Sequence, residues 1–519
     1  MQELRSIYRI AFVKFGSVKR KRIALSTQSK ISFYSLISVF FSLIFFSPHY
    51  AEAVKQVRLN QCGRLSAGNT VYLLEKDVSS SGTCFAIEAS NITLNLNGHT
   101  ITYGVAGGKS PAPAFTLCDG WYKYLSSSQC GGHGHAHFTV YDGTVIQAAM
   151  APPFSPVFWV GQGIAVGEGV IHNIKATFSS PGSQFFYGDY AGAGWKIRNN
   201  TINDNVTNIQ HSGQGPLSAR SQLQGYAIKI DDGRGAKGVP DEISGNIING
   251  SPQGGISDGQ PGTKIYNNEI RLASTYTNDY GVLSMADKQN IHDNIVTGHG
   301  RGLDAEGSDF ILNHNTIDVQ EIAKNTEYDG CELGGTYGIR VKNYNVTHTS
   351  KGFSIINNHV TVHAGPCQAN GLVFTNMIPT VTATISSNII ATIAGSAPDY
   401  AIAFNSVNNL NGMTYSHNTF IASICALIDN TGDIGSGANT TVQAGQTWKC
   451  GMAGPTVKTM DLTTAGNPKN SYPEYLKITD AIPKPVVSCG PYSTAFVQIG
   501  SFHKQCVGQP LDTSSNDKH

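Results

Sequence analysis

One short phrase recurs along this chain and restricts what it can become: an apolar residue, any residue, a polar residue, Asn, any residue, an apolar residue. Clear copies are Ile197-Arg198-Asn199-Asn200-Thr201-Ile202, Ile265-Tyr266-Asn267-Asn268-Glu269-Ile270 and Ile355-Ile356-Asn357-Asn358-His359-Val360, with weaker ones centred on Asn246, Asn294, Asn315, Asn388 and Asn418. From Asn200 onward the successive Asn lie 46, 22, 26, 21, 43, 30 and 30 residues apart. The shortest repeat is therefore near 22, and the longer ones read as the same coil carrying a loop. Such self-similarity marks a solenoid, in which a repeat buries its apolar face only by stacking on its neighbours.

A second phrase keeps the same count. After a small residue, an alternating pattern begins once in every interval, with its first apolar residue at Ile228, Ile256, Val282, Leu303, Ile339, Leu372 and Ile402. Period two means strand. An Asn between two strands suits a tight turn, and Asn residues stacked on neighbouring coils would hydrogen-bond one another. Composition agrees. With 57 Gly, 21 Pro and only 14% charged residues among 519, the chain is too turn-rich for long helices, and 40% hydrophobic is too apolar for charged disorder.

These phrases resemble the right-handed parallel β-helix superfamily, the pectate-lyase-like solenoids, over roughly residues 92 to 425. Asn91-Ile92-Thr93-Leu94-Asn95-Leu96-Asn97-Gly98-His99-Thr100-Ile101 resembles the opening coil of many members. The resemblance implies an all-β, single-stranded solenoid and is nearly silent on activity. Residues 54 to 91 would cap one end. Residues 426 to 519, where the repeat is lost, read as a disulfide-stapled cap or small appended module, with Cys425, Cys450, Cys489 and Cys506 and several prolines in or beside them.

Residues 1 to 53 read as a secretory signal peptide: basic residues precede an uncharged run from Ile31 to Phe46, and Ala51-Glu52-Ala53 gives an A-x-A cleavage pattern. The apolar run falls short of the ~20 residues that span a bilayer core, so no membrane partner is expected after cleavage. All ten Cys lie beyond that point, an even number that suits disulfides in a secreted, periplasmic or extracellular protein. Sequence neighbours such as Cys118 and Cys130 are expected to pair. The leader holds eight Lys or Arg and two acids, which leaves 28 basic against 33 acidic residues, a net charge of −5. Without a Lys/Arg-rich block, that balance argues against nucleic acid as the main partner. The mature chain is taken to be a monomer.

If Ile228 and its equivalents point inward, residues one and three places later point outward. The outward pairs are Lys229 and Asp231, then Asp304 and Glu306, then Arg340 and Lys342. With coils ~4.8 Å apart, Asp304 would sit beside Arg340 and Glu306 beside Lys342. The bland reading is an ion-pair ladder worth ~0.2–1 kcal/mol per pair. The functional reading rests on extra sequence at 205–224 and 321–335 before this strand and 232–241 and 343–351 after it, which would wall the face into a groove for a polymer. Two places before each inward residue stand Tyr226, Gly254, Tyr280, Arg301, Tyr337, Asn370 and Tyr400. Four Tyr at one register read either as packing or as a platform for sugar rings, with Tyr280, Arg301 and Tyr337 as candidate substrate contacts beside Lys229 and Asp231.

Fragments of the chain also resemble the polygalacturonase family: Asn203-Asp204, Asp231-Asp232, Gly298-His299-Gly300 and Arg340-Val341-Lys342 follow that family's order. Their spacing departs from it. Asp231 falls three coils before Asp304, roughly 14 Å away, whereas inverting hydrolysis wants carboxylates ~6.5–9.5 Å apart. Asp304 and Glu306, ~7 Å apart on one strand, would be the substitute acid and base. The alternative chemistry of this fold is β-elimination of a uronate polymer. Arg340 or Lys342 would neutralise the carboxylate, and Lys342, His299 or Tyr337 would serve as base. His133, His135 and His137 read as a solvated loop rather than a metal site. No metal is assigned, and calcium, used by some lyases of this fold, stays open. The expectation is a secreted protein that cleaves or binds an acidic polysaccharide, as lyase or hydrolase, with a non-catalytic surface or adhesion protein as the alternative.

Overall fold

The computed structural model describes residues 55–108, 110–117, 137–160, 168–188, 193–206, 226–230, 239–251, 254–273, 280–320, 336–342, 352–365, 369–375, 383–393, 399–405, 413–422, 424–429, 441–442 and 447–450. The chain divides into Met1–Val54, which holds the expected leader and lies outside the described residues, and Lys55–His519.

One turn of the chain delivers three strands. Lys264–Tyr266, Glu269–Ala273 and Tyr280–Ser284 make one coil, and Asn290–His292, Ile295–His299 and Arg301–Glu306 stack on it, parallel and in register. Repeated along the chain, this gives a right-handed parallel β-helix with three faces. The first and second faces merge into one 25-stranded sheet because Phe138–Gln147 and Val170–Phe178 run through both; the third is a separate 13-stranded sheet. The described residues contain no helix.

The inward rows are stacks of like side chains. On the first face Ile197, Ile243, Ile265, Ile291, Leu312 and Ile355 lie rung over rung, all fully buried. On the third, Ile228, Ile256, Val282, Leu303, Ile339, Leu372 and Ile402 do the same. Full burial of such a side chain stabilises by about 1.5–3 kcal/mol, and here it is gained only when one coil lies on the next.

The repeated Asn forms a continuous ladder at the turn between the first and second faces. The side-chain amide of each donates to the Oδ1 of the next, from Asn200 through Asn246, Asn268, Asn294, Asn315, Asn358 and Asn388 to Asn418, at 2.8–3.0 Å. Each amide also donates to a main-chain carbonyl of the preceding coil, as Asn294 does to Ile265 at 2.9 Å. The residue just before the ladder Asn is left-handed, with φ of 53–57° at Asn199, Asn267, Asp293, His314, Asn357, Ser387 and His417. Asn, Asp and Gly tolerate that conformation best.

A second corner, between the second and third faces, depends on glycine. A Cβ at Gly302 would lie 2.0 Å from the Gly338 carbonyl oxygen, and one at Gly338 would lie 2.1 Å from Val360 Cγ1. These glycines turn inward, so the Tyr and Arg residues before them project outward.

The solenoid reaches further than the sequence repeat. Lys55–Leu59 already pairs in parallel with Thr70–Leu74, and Gly63–Leu65 with Phe85–Ile87, so the segment expected as a cap supplies strands to the same sheets. Its alternating Thr70-Val71-Tyr72-Leu73-Leu74 buries every second residue as a coil strand does. Beyond 425, Thr441–Val442 and Thr447–Cys450 still join the ladders. A Cys62–Cys84 disulfide staples the first coils; Cys118 and Cys130 lie outside the described residues.

Candidate functional site

The register puts the expected charges together. Leu303 pairs with Ile339, Asp304 with Arg340 and Glu306 with Lys342 on the third sheet. Arg340 grips Asp304 with two hydrogen bonds, Nε to Oδ1 at 2.9 Å and Nη2 to Oδ2. Lys342 Nζ donates to Glu306 Oε1 at 2.8 Å, and Arg340 lies 3.9 Å from the same oxygen. Asp304 is fully buried and the Glu306 side chain nearly so, while Lys342 is 32% exposed and is the member of the four that reaches solvent most.

Burial, then the charge of Asp304, push the Glu306 carboxyl above its ordinary range, against the hydrogen bond and charge of Lys342 and the charge of Arg340. Burial acts to lower Arg340, but its bonds to Asp304 outweigh that and hold the guanidinium cationic. Two carboxyl groups on one strand thus differ in kind: Asp304 is locked to Arg340, and Glu306 is the one whose proton affinity has been raised.

Beside this patch the tyrosines form a closed cluster. Arg301 lies against the rings of both Tyr280 and Tyr337, 5.6 and 4.7 Å from their centres, which are themselves 6.0 Å apart. Its Nη1 donates to both phenol oxygens at 3.2 Å. Tyr337 Oη donates to Tyr280 Oη at 3.0 Å, and Arg340 Nη2 reaches the same Tyr280 oxygen at 3.0 Å. Arg301, Tyr337 and Tyr280 are all buried, so these expected substrate contacts pack and brace Arg340 instead of lying open. Burial pushes the Tyr337 phenol well above its ordinary value, with the Arg301 charge opposing, which keeps it protonated and removes it from the candidate bases. Replacing Tyr337 by Phe is expected to cost about 1–2 kcal/mol, read as a lower urea midpoint with an unchanged slope.

The other candidates fall elsewhere. His299 is exposed at the end of Ile295–His299, on the second face and in register with Gln320, because the Gly302 corner intervenes. Asp204 is also on the second face, three rungs before that strand. Lys229 shares the outward row of Asp304 but lies three rungs away, roughly 14 Å, with its Nζ 5.6 Å from the Tyr187 ring centre. Asp231 and Asp232 lie outside the described residues, as do His133, His135 and most of the loops expected to wall the groove.

No family model matches the chain, and no curated protein is detectably similar to it in sequence. Among solved structures it is similar to the A-module of the mannuronan C-5 epimerase AlgE6 of Azotobacter vinelandii, at 12% identity and a TM-score of 0.41 over 75% of this chain and 92% of that one. It is also similar to the surface protein and adhesin PfbA of Streptococcus pneumoniae, at 14% identity and 0.40 over 75% and 89%. A third likeness is to the alginate lyase AlyF-OU02 in complex with G6, at 11% and 0.38 over 75% and 83%. These likenesses add nothing to the chemistry. Strand pairing and register identify the chain as a right-handed parallel β-helix protein, with the charged cluster on the outside of its third sheet.

Proposed function

We propose that this is a secreted carbohydrate-active protein that binds an acidic polysaccharide along the outward row of the third sheet and cleaves it by β-elimination. The observation that carries the reading is the Glu306–Lys342 pair: a carboxyl of raised proton affinity held 2.8 Å from a partly exposed ammonium. Lys342 pairs with the uronate carboxylate, which makes the adjacent C–H more acidic. Glu306 takes that proton, the C–O bond to the leaving sugar breaks as the C=C bond forms, the leaving oxygen takes a proton from water, and Glu306 gives its proton to the hydroxide so formed. Hydrolysis needs a second carboxylate free to activate water, and Asp304 is committed to Arg340.

A second reading keeps one observation on its side. The four charges satisfy one another, as they would on a non-catalytic binding surface. Incubation with a panel of polyuronates separates the readings. Absorbance from unsaturated ends is the expected result. Reducing ends without that absorbance would mean hydrolysis, and retained binding with neither signal would leave an adhesion protein.

A further inference from the structure

Besides the Asn ladder, a buried polar group that includes two carboxyls lies at the corner between the third and first faces. There the inward row of the third sheet reads Ile230, Asp258, Ser284, Ala305. Asp258, Ser284, Gln289 and Asp241 are all at most 1% exposed. One oxygen of each carboxyl is satisfied: Asp241 Oδ1 accepts from the Gly194 and Trp195 N–H groups at 2.7 Å, and Asp258 Oδ1 accepts from Gln260 N at 2.8 Å and Gln289 Nε2 at 2.9 Å. No N–H or O–H group meets Gln289 Oε1, Ser284 Oγ or the second oxygen of either carboxyl in good hydrogen-bond geometry, and the Asp241 and Asp258 carboxyls lie within hydrogen-bond reach of each other, with the Thr263 side chain beside Asp258. Asp258 is the centre of this group: Gln289 bonds to it, Ser284 is its neighbour one rung on, and the Asp241 carboxyl faces it. Among the described residues, no Lys, Arg or His is recorded in an ion pair with either carboxyl.

We propose that Asp241, Asp258, Gln289 and Ser284 form a buried site for a hard, oxygen-preferring divalent cation that ties three successive coils together. Unpaired buried carboxylates are costly, and a divalent ion offsets both charges while giving the orphaned oxygens a partner. Carboxylate, amide and hydroxyl oxygens without nitrogen or sulfur favour Ca²⁺ or Mg²⁺ over the transition metals.

The site is independent of the polysaccharide reading and is tested without any activity. The full chain is analysed for metal content, stripped with EDTA, and melted alone or with Ca²⁺ or Mg²⁺ alone. The expected result is about one ion per chain and a Tm drop on the order of 5 °C on stripping, restored by one of the two ions. Asp258→Asn, nearly isosteric and uncharged, is expected to lose both the ion and the response, and Ser284→Ala to weaken binding about tenfold. A chain without metal whose Tm ignores EDTA and both ions overturns the proposal and leaves the pair sharing a proton. Variants that respond like the parent overturn it too, by placing the ion elsewhere.

Discussion

Replacing Asn294 by Ala is expected to destabilise the protein by ~3–5 kcal/mol, more than removing any one apolar contact nearby. Asn294 is fully buried and uses its whole amide. Its Oδ1 accepts from the Asn268 main-chain N–H at 3.1 Å and side-chain amide at 2.9 Å. Its Nδ2 donates to Ile265 O at 2.9 Å, His292 O at 3.1 Å and Asn315 Oδ1 at 3.0 Å. Alanine removes the partner of the Asn268 donors and of acceptors on three successive coils, at a fully buried position. Asn294→Asp keeps the shape but turns a donor into an acceptor opposite Asn315 Oδ1. Its folded-state pKa would be raised, so the protonated form is the better tolerated. Its stability should therefore improve as pH falls through that pKa and worsen as pH rises from the unfolded value of ~3.9. Thr316→Ala, on the exposed side of the next rung, is the control and should stay within about 0.5 kcal/mol. Urea unfolding decides: a shift below about 1 kcal/mol for Asn294→Ala would mean that the ladder only follows the turn and does not hold it.

What could be read in the sequence was whatever the coil repeats. Asn268 and Asn294 announce their contact because the same corner recurs each turn, and Leu303 with Ile339 fixes a register that carries Asp304 to Arg340 and Glu306 to Lys342. Where the backbone departs from simple alternation, that inference fails. At Gly281, Gly302 and Gly338 the chain bends, two successive residues turn inward, and Tyr280, Arg301 and Tyr337 come out on one side as a braced stack. The same bend separates His299 from Asp304, although five residues apart in sequence they read as one constellation. The position of Asp258 is legible from the same alternation: two places after Ile256 it points inward, where an isolated carboxylate is costly.

Replacing Glu306 by Gln is expected to lower kcat on a cleavable polyuronate by about 10²–10⁴, the usual contribution of a general base, with little change in KM. The amide oxygen can still accept from Lys342, so folding should change by less than about 1 kcal/mol. The pH profile gives the sharper test. Because burial and Asp304 raise the Glu306 pKa, the parent's activity should climb through a limb above the ordinary carboxylate range. The stability linkage has the opposite sign: the ionised form is disfavoured in the fold, so Glu306 costs stability as pH rises from its unfolded value through its folded one. Lys342 opposes the rise. Lys342→Ala should therefore shift the activity limb to still higher pH while raising KM for the anionic polymer and weakening its salt dependence. A merely structural lysine would lower stability and leave that limb where it is. Full turnover in Glu306→Gln, or a limb that ignores Lys342→Ala, would take proton abstraction away from Glu306 and leave the cluster as a ladder of ion pairs.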